Sequence, residues 1–380
     1  MSLALRFLDR LLGWERRLRG RLVRSAAPPR GVLIVAAGGL GDAVLFAHVL
    51  PRFLALAKAG EPVTLIVRRD AAKMAFLFPK GVTVRAVDFR ALRKNPLYRR
   101  QALADMRALN PRLAISADYL RHPLLDEALI EAAEASEAAA MAARPWPKYQ
   151  AALDRNRSLY ARIFDAGPPH VDKVVRWTRF ANWLTGRDDP PPRARLADAA
   201  LAAPLVSAAP LVVLQPFSAV ARKQVRPELW RALMAALPPE TEIRIVGAPG
   251  DFAANPDYRA LEAPPRVRID TATFAELVPA LRAARLVVSV DTALMHLAIA
   301  VGAPTLGLAS AAYVGEIVPY DSAVIPSNAH FLYADMPCRG CLGDCRLPPE
   351  AGMYPCIARL EPAAVAREAA RLFAEAANRA

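Results

Sequence analysis

Two hydrophobic rhythms alternate along the chain. Short apolar runs rich in β-branched residues fall at 31–37, 63–67, 82–87 and 113–117, and between them lie stretches such as 44–59 and 70–78 whose apolar positions recur every three or four residues. The first rhythm predicts buried strands, the second amphipathic helices. A helical stretch at 171–184 leads into "TGRDDPPPRARL", a turn-rich break, and a second series of runs follows at 211–214, 242–246, 267–270, 286–290 and 305–308. Strand and helix in alternation predict parallel sheets with crossover helices. The expected fold class is therefore α/β, two Rossmann-like doubly wound domains facing an interdomain cleft. The domains are expected at 29–187 and 209–360, with 188–208 as linker and a last helix over 361–380. The alanine-rich piece "EAAEASEAAAMAA" reads as helix on propensity alone.

Composition narrows the partners. The 380 residues are 54% hydrophobic, enough for two ordinary cores, and 50 Lys and Arg against 36 Asp and Glu give a net charge of +14. Such a balance suits an anionic partner: nucleic acid, a nucleotide phosphate or an acidic lipid head group. No uninterrupted apolar run reaches the roughly 18 residues of a membrane span, and the opening segment lacks a clean apolar core and cleavage site. On a helix over 1–28, Leu5, Leu8, Leu11, Leu12, Leu18 and Leu22 share one side while Arg10, Arg16, Arg17, Arg21 and Arg24 spread over the flanks. That pattern fits a basic amphipathic helix lying on an anionic inner leaflet, or one docked on its own protein or a neighbouring subunit. The expected location is cytoplasmic, peripheral on the inner face of the inner membrane.

Chemistry concentrates where apolar runs stop. The first ends in "VAAGGLGDAVL": Gly38, Gly39 and Gly41 permit a tight strand-to-helix turn, leaving Asp42 at the helix start. The dinucleotide spacing G-x-G-x-x-G is not met, and "LIVRRD" puts Arg68 and Arg69 where a ribose-binding acid would stand, so a nicotinamide enzyme is disfavoured. The second series opens with "LVVLQPFSAVARKQVRPELW", whose loop holds Ser218, Arg222 and Lys223, the lysine suited to phosphate. "RIVGAPGD" places Asp251 after another strand, where a carboxylate could accept from ribose hydroxyls. In "VVSVDTALMHLAIAVGAPTLGL", Asp291-Thr292 precede a helix start: they either cap it or leave its free N–H groups for a diphosphate.

These three motifs together, "GGLGDAVL", "QPFSAVARKQVRPELW" and "VVSVDTALMHLAIAVGAPTLGL", closely resemble glycosyltransferase family 9, the ADP-heptose:lipopolysaccharide heptosyltransferases. The resemblance runs from about Gly31 to the C-terminus and implies GT-B architecture, with the helix at 361–377 crossing back onto the first domain. It implies Asp42 as catalytic base and Lys223, Asp291, Thr292 and His296 at the donor site, with Asp251 near the ribose; Gly41, Ser218 and Ala293, in the same motifs, are read as donor-binding beside them. Ala293 stands for the family's usual Gly, and Val225 for its usual Trp after the Lys. The implied reaction is inverting transfer of a sugar, heptose foremost, from a nucleoside diphosphate to a lipopolysaccharide core or another cell-surface glycan or protein. No Asp-x-Asp occurs in the chain, so no catalytic metal is expected.

All four cysteines fall late, in "CRGCLGDCRLPPEAGMYPC": Cys338, Cys341, Cys345 and Cys356. In a cytoplasmic chain this spacing favours a structural metal, zinc or iron, over disulfides or free thiols. The autotransporter heptosyltransferases, a branch with such a cluster, carry structural iron, and the resemblance points the same way. The acceptor, an anionic glycolipid, glycan or protein, is expected against the first domain, where "SADYLRHPLLDEAL" offers Tyr119, Arg121 and His122 after a strand end; Lys94, Arg99 and Arg100 add basic surface. Two rival readings are a nucleic-acid-binding protein with a zinc knuckle and a catalytically silent scaffold. No aromatic-lined basic motif supports the first, so no nucleic acid is expected, and retained Asp42 and Lys223 speak against the second. A homo-oligomer is compatible with all of these.

Overall fold

The structure, a computed structural model, describes residues 28–378; the proposed amphipathic helix over 1–28 lies outside the described residues but for its last one. The chain divides into two compact units, one running to Pro168 and including Arg176–Asp189, the other comprising Pro169–Val175 and Pro190–Ala380.

The first unit holds strands β1 (Val32–Ala36), β2 (Val63–Arg68), β3 (Val82–Val87), β4 (Leu113–Ser116), β5 (Glu137–Met141) and β6 (Arg162–Phe164). The second holds β7 (Leu211–Gln215), β8 (Glu242–Val246), β9 (Val267–Asp270), β10 (Leu286–Val290), β11 (Thr305–Leu308) and β12 (Ala329–Leu332). Each set forms one parallel six-stranded sheet, ordered β3-β2-β1-β4-β5-β6 and β12-β11-β10-β7-β8-β9. Read from opposite edges these are the same order, that of a doubly wound nucleotide-binding sheet. The chain reverses direction across the sheet between β1 and β4 and again between β7 and β10. Ligands of such sheets sit beyond the carboxyl ends of the strands at those points.

Helices relevant to the site are α1 (Leu40–Leu54), α2 (Lys173–Thr185), α3 (Pro227–Ala235), α4 (Phe274–Ala283), α5 (Ala293–Ala300) and α6 (Pro362–Ala377). None of the described helices is long and apolar enough to cross a membrane.

One sequence expectation is corrected, and two further stretches acquire definite partners. The alanine-rich piece is not one helix: the helix Asp126–Ala133 stops at Glu134, whose φ of 47° is left-handed, and 137–141 becomes β5. Its alanines are small enough for a strand buried between β4 and β6, and that burial overrides helix propensity. Of the expected linker 188–208, the part to Asp189 belongs to the first unit, and the part from Pro190 is bonded within the second: Ala194 N–H donates to Val324 O and Leu196 N–H to Ala300 O, both at 2.8 Å. Arg193 adds bonds to the carbonyls of Ser322 and Ile325. The expected crossing helix of 361–377 is α6. Its apolar face, Val365, Ala369, Leu372 and Phe373, packs with α3 in the core of the second unit, each large side chain contributing about 1.5–3 kcal/mol of burial there.

Candidate active site

On the second unit, β7 and β10 pair in parallel with Ser289 opposite Gln215, so both strands end side by side. Asp291 and Thr292 follow β10. Neither side chain caps α5: Thr292 occupies the N-cap position with extended backbone and no side-chain cap bond. The first-turn N–H groups are therefore not consumed by the capping residue, and the positive end of the helix dipole is presented beyond the sheet. The Thr292 hydroxyl lies 3.4 Å from both Gln215 Oε1 and Ser289 Oγ, spanning the gap between the two strand ends.

Asp291 has another task. Its Oδ2 accepts from Lys223 Nζ at 2.8 Å, and the two side chains are only 7% and 15% exposed. Lys223 sits on the short 3₁₀ turn Ala221–Lys223 after β7, its ammonium 4.6 Å from the centre of the Tyr313 ring. A carboxylate and an aromatic face thus hold one ammonium in place at the switch point. Ser218, in the same loop, uses its hydroxyl to accept from Val220 N–H at 3.2 Å.

His296 is buried on α5, and its Nδ1 lies 2.6 Å from the Tyr320 hydroxyl with the rings stacked. Burial, with Asp172 and Asp291 near, pushes the Tyr320 hydroxyl well above the ordinary phenol range, so it stays protonated. Ala293 opens α5 half-buried. Val225 is in the core and its carbonyl accepts from the Tyr258 hydroxyl. Asp251 serves its own helix: its Oδ2 accepts from Ala248 N–H at 2.9 Å at the start of Pro249–Ala254.

On the first unit, Asp42 is the third residue of α1, and its Oδ2 accepts from Gly39 N–H at 3.0 Å. Gly38 is required here, because a Cβ at that position would come within 2.5 Å of Asp42 Cβ. Gly41 lies in the same first turn. Across the switch point, the Asp118 carboxylate after β4 accepts from Ala37 N–H after β1. Two carboxylates therefore gather beyond these strand ends.

The three expected acceptor residues part company. Tyr119 lies under the Arg176 guanidinium, 3.9 Å from its ring centre, and donates to Gly167 O. Arg121 is 4% exposed and wholly engaged: it pairs with Glu127 at 2.7 Å and donates to Met141 O at 2.7 Å. Its position is corrected to a structural strut, because a buried guanidinium needs acceptors and this one finds them in the protein. Arg99 is corrected likewise, buried and donating to the carbonyls of Leu92 and Leu124. His122 is half-buried beside Trp146 and Tyr149. Burial, with Arg93 and Lys148 near, lowers its pKa to about 4.

The four cysteines line one small cavity of about 80 Å³, together with Lys223, Tyr313 and Tyr354. Their chemistry suits a soft metal, but their arrangement does not: among the described residues no three His, Cys, Asp or Glu side chains converge to hold an ion. Cys338 is exposed, the Cys345 thiol is directed at Leu347 O at 3.8 Å, and burial raises the Cys356 thiol pKa. The four cysteines are thus thiols of one shared cavity, with no three-ligand arrangement among the described residues.

Gln215, Asp118 and Tyr313 escaped the sequence reading. Gln215 and Asp118 carried the signal used for Asp291, a polar residue directly after an apolar run; Tyr313 carried none.

Two α/β units of the same nucleotide-binding order, each with polar groups beyond its switch point, define the GT-B class of glycosyltransferases. The profile of glycosyltransferase family 9 (heptosyltransferase) matches residues 136–339, just over half of the chain; the chain belongs to this family and is a glycosyltransferase. The match contains Lys223, Asp251, Asp291, Thr292 and His296, and Asp42 lies outside it. Among solved structures, the family 9 glycosyltransferase from Veillonella parvula is similar with 15% identity and a TM-score of 0.65, covering 92% of this chain and 98% of its own. The E. coli heptosyltransferase WaaC, solved with ADP-2-deoxy-2-fluoro heptose, shares 20% identity at a TM-score of 0.64, covering 90% and 98%. The iron-containing dodecameric glycosyltransferase TibC of enterotoxigenic E. coli shares 16% at 0.54, covering 92% and 77%. Comparison with curated proteins gives no match.

Proposed function

We propose that this protein transfers a sugar, heptose foremost, from a nucleoside diphosphate to a hydroxyl of an anionic cell-surface glycan such as a lipopolysaccharide core, with inversion. The observation that carries the reading is the second switch point, where an ammonium held by Asp291 and Tyr313 adjoins a helix start whose N-cap residue, Thr292, makes no side-chain cap bond. A helix dipole contributes only about 0.3–2 kcal/mol toward an anion, so Lys223 supplies the larger share of compensation for the departing diphosphate. Asp291 is a positioning residue on this reading: it fixes the ammonium before the donor arrives. That WaaC was solved with an ADP-heptose analogue agrees with the donor class.

Asp42 then takes the proton of the acceptor hydroxyl. The oxygen attacks the anomeric carbon as the bond to the diphosphate oxygen breaks, and the sugar's configuration inverts. Lys223 and the helix start supply the charge compensation, so no divalent metal is needed for this step. The net charge of +14 supports an anionic acceptor and work at the inner face of the inner membrane. The test is a thermal-shift screen of nucleotide sugars, ADP-heptose first, followed by product analysis with a core oligosaccharide. No stabilisation by any nucleotide sugar, and no product, would retire the proposal.

A further inference from the structure

The loops after β4 and β5 of the first unit bring three aromatic rings together. The His122 ring lies 4.4 Å from the Tyr149 ring and 5.7 Å from the Trp146 ring, and Trp146 meets Tyr149 edge-on at 4.6 Å between centres. All three are half-buried, so each keeps part of its surface in water. Lys148 stands over the Tyr149 ring at 5.4 Å, and the exposed Arg93 is close enough, with Lys148, to lower the imidazole's proton affinity. The cluster is therefore apolar-faced, positive at its rim, and carries a neutral imidazole at ordinary pH.

Its place in the fold matters more than its composition. Arg144 N–H donates to Tyr119 O at 2.8 Å, tying the loop after β5 to the loop after β4. Asp118, one residue before Tyr119, accepts from Ala37 N–H in the loop that leads to Asp42. One backbone bond and one carboxylate bond thus link the aromatic cluster to the loop of the candidate base, all beyond the carboxyl ends of one sheet. That is where a doubly wound sheet takes its ligand.

We infer that Trp146, Tyr149 and His122 form a stacking platform for a sugar ring of the acceptor, with Lys148 and Arg93 selecting an acidic glycan. A pyranose shows water one face of polarised C–H bonds, which packs on the electron-rich face of an aromatic ring. Carboxylate or phosphate groups on the same glycan meet the cationic rim. The inference rests on the proposed transferase reading and names the acceptor subsite for it.

Calorimetric titration with deacylated lipopolysaccharide core oligosaccharide, and with maltotriose as the neutral counterpart, tests the platform directly. Trp146→Ala is expected to weaken oligosaccharide binding and raise the acceptor KM about tenfold, with a fall in kcat of no more than about threefold. Trp146→Phe, which keeps an aromatic face, is expected to restore most of that loss. Lys148→Ala is expected to reduce binding of the acidic oligosaccharide and flatten its salt dependence, and maltotriose to bind at least about tenfold more weakly than the oligosaccharide. Unchanged binding in both Trp146→Ala and Tyr149→Ala, or equal affinity for maltotriose, overturns the inference. If Trp146→Ala does not fold, Tyr149→Ala and Lys148→Ala decide the matter. Transfer that proceeds with wild-type KM in these variants refutes the platform alone. Oligosaccharide binding that depends on Trp146 in a protein that transfers no sugar sustains the platform and refutes the transferase reading.

Discussion

Replacing Lys223 by Met probes the pair on which the donor reading depends. The variant keeps the length of the side chain and removes the ammonium, leaving the Asp291 carboxylate, 7% exposed, without its 2.8 Å partner. Removing one member of a fully buried pair costs about 3–5 kcal/mol. Lys223 is 15% exposed, so water reaches part of the site, and about 2–3 kcal/mol is the reasonable magnitude here. For a unit of this size that corresponds to a fall in Tm of roughly 4–12 °C. The double variant Lys223→Met, Asp291→Asn removes the stranded charge and is expected to recover at least half of the loss. Differential scanning fluorimetry with and without ADP separates stability from binding. At about 100 times Kd a ligand stabilises by about 2.7 kcal/mol, so wild type should gain several degrees and both variants almost nothing. A Lys223→Met protein with wild-type Tm that ADP still stabilises fully would refute both the energetic argument and the role of the ammonium.

Asp42→Ala is expected to lower turnover by about 100 to 10,000-fold while ADP still raises Tm; activity within a few-fold of wild type, in a product-release assay, would remove Asp42 as base. Asp126 is buried with its pKa pushed up to about 7 by desolvation, above its unfolded value, so it favours folding most at low pH and that contribution fades as pH rises from about 4 to 7. His122, depressed to about 4 mainly by burial, acts in the opposite sense from about pH 4 to 6.5. The stability difference Asp126→Asn minus wild type should therefore grow with pH across 4 to 7, by up to about 1 kcal/mol per unit, in urea titrations; a pH-independent difference would show that Asp126 is ionised throughout. Alkylation by iodoacetamide followed by mass spectrometry should modify exposed Cys338 first and Cys356, with its buried and raised thiol, last. Elemental analysis of protein purified without chelator should find less than about a tenth of an equivalent of iron or zinc; about one equivalent would show that the four thiols rearrange around an ion.

The amino-acid pattern by itself determined the α/β class, the two series of strands and the residues at their ends, because buried strands of a parallel sheet must be apolar and anything polar at their carboxyl ends is conspicuous. Asp42, Lys223, Asp291 and Thr292 were legible for that reason. It did not determine β5, because the alanines of 137–141 have helical propensity and only the neighbours β4 and β6 make a strand of them. Nor could it tell Arg121 from a surface arginine, since its acceptors Glu127 and Met141 come from a helix and a separate strand. The pairing of Lys223 with Asp291, the ring of Tyr313 beneath that ammonium, and the meeting of His122 with Trp146 and Tyr149 are likewise tertiary facts. Local periodicity records which face of an element is buried; which distant side chains share a site depends on strand order, and strand order is fixed only when the whole sheet has assembled.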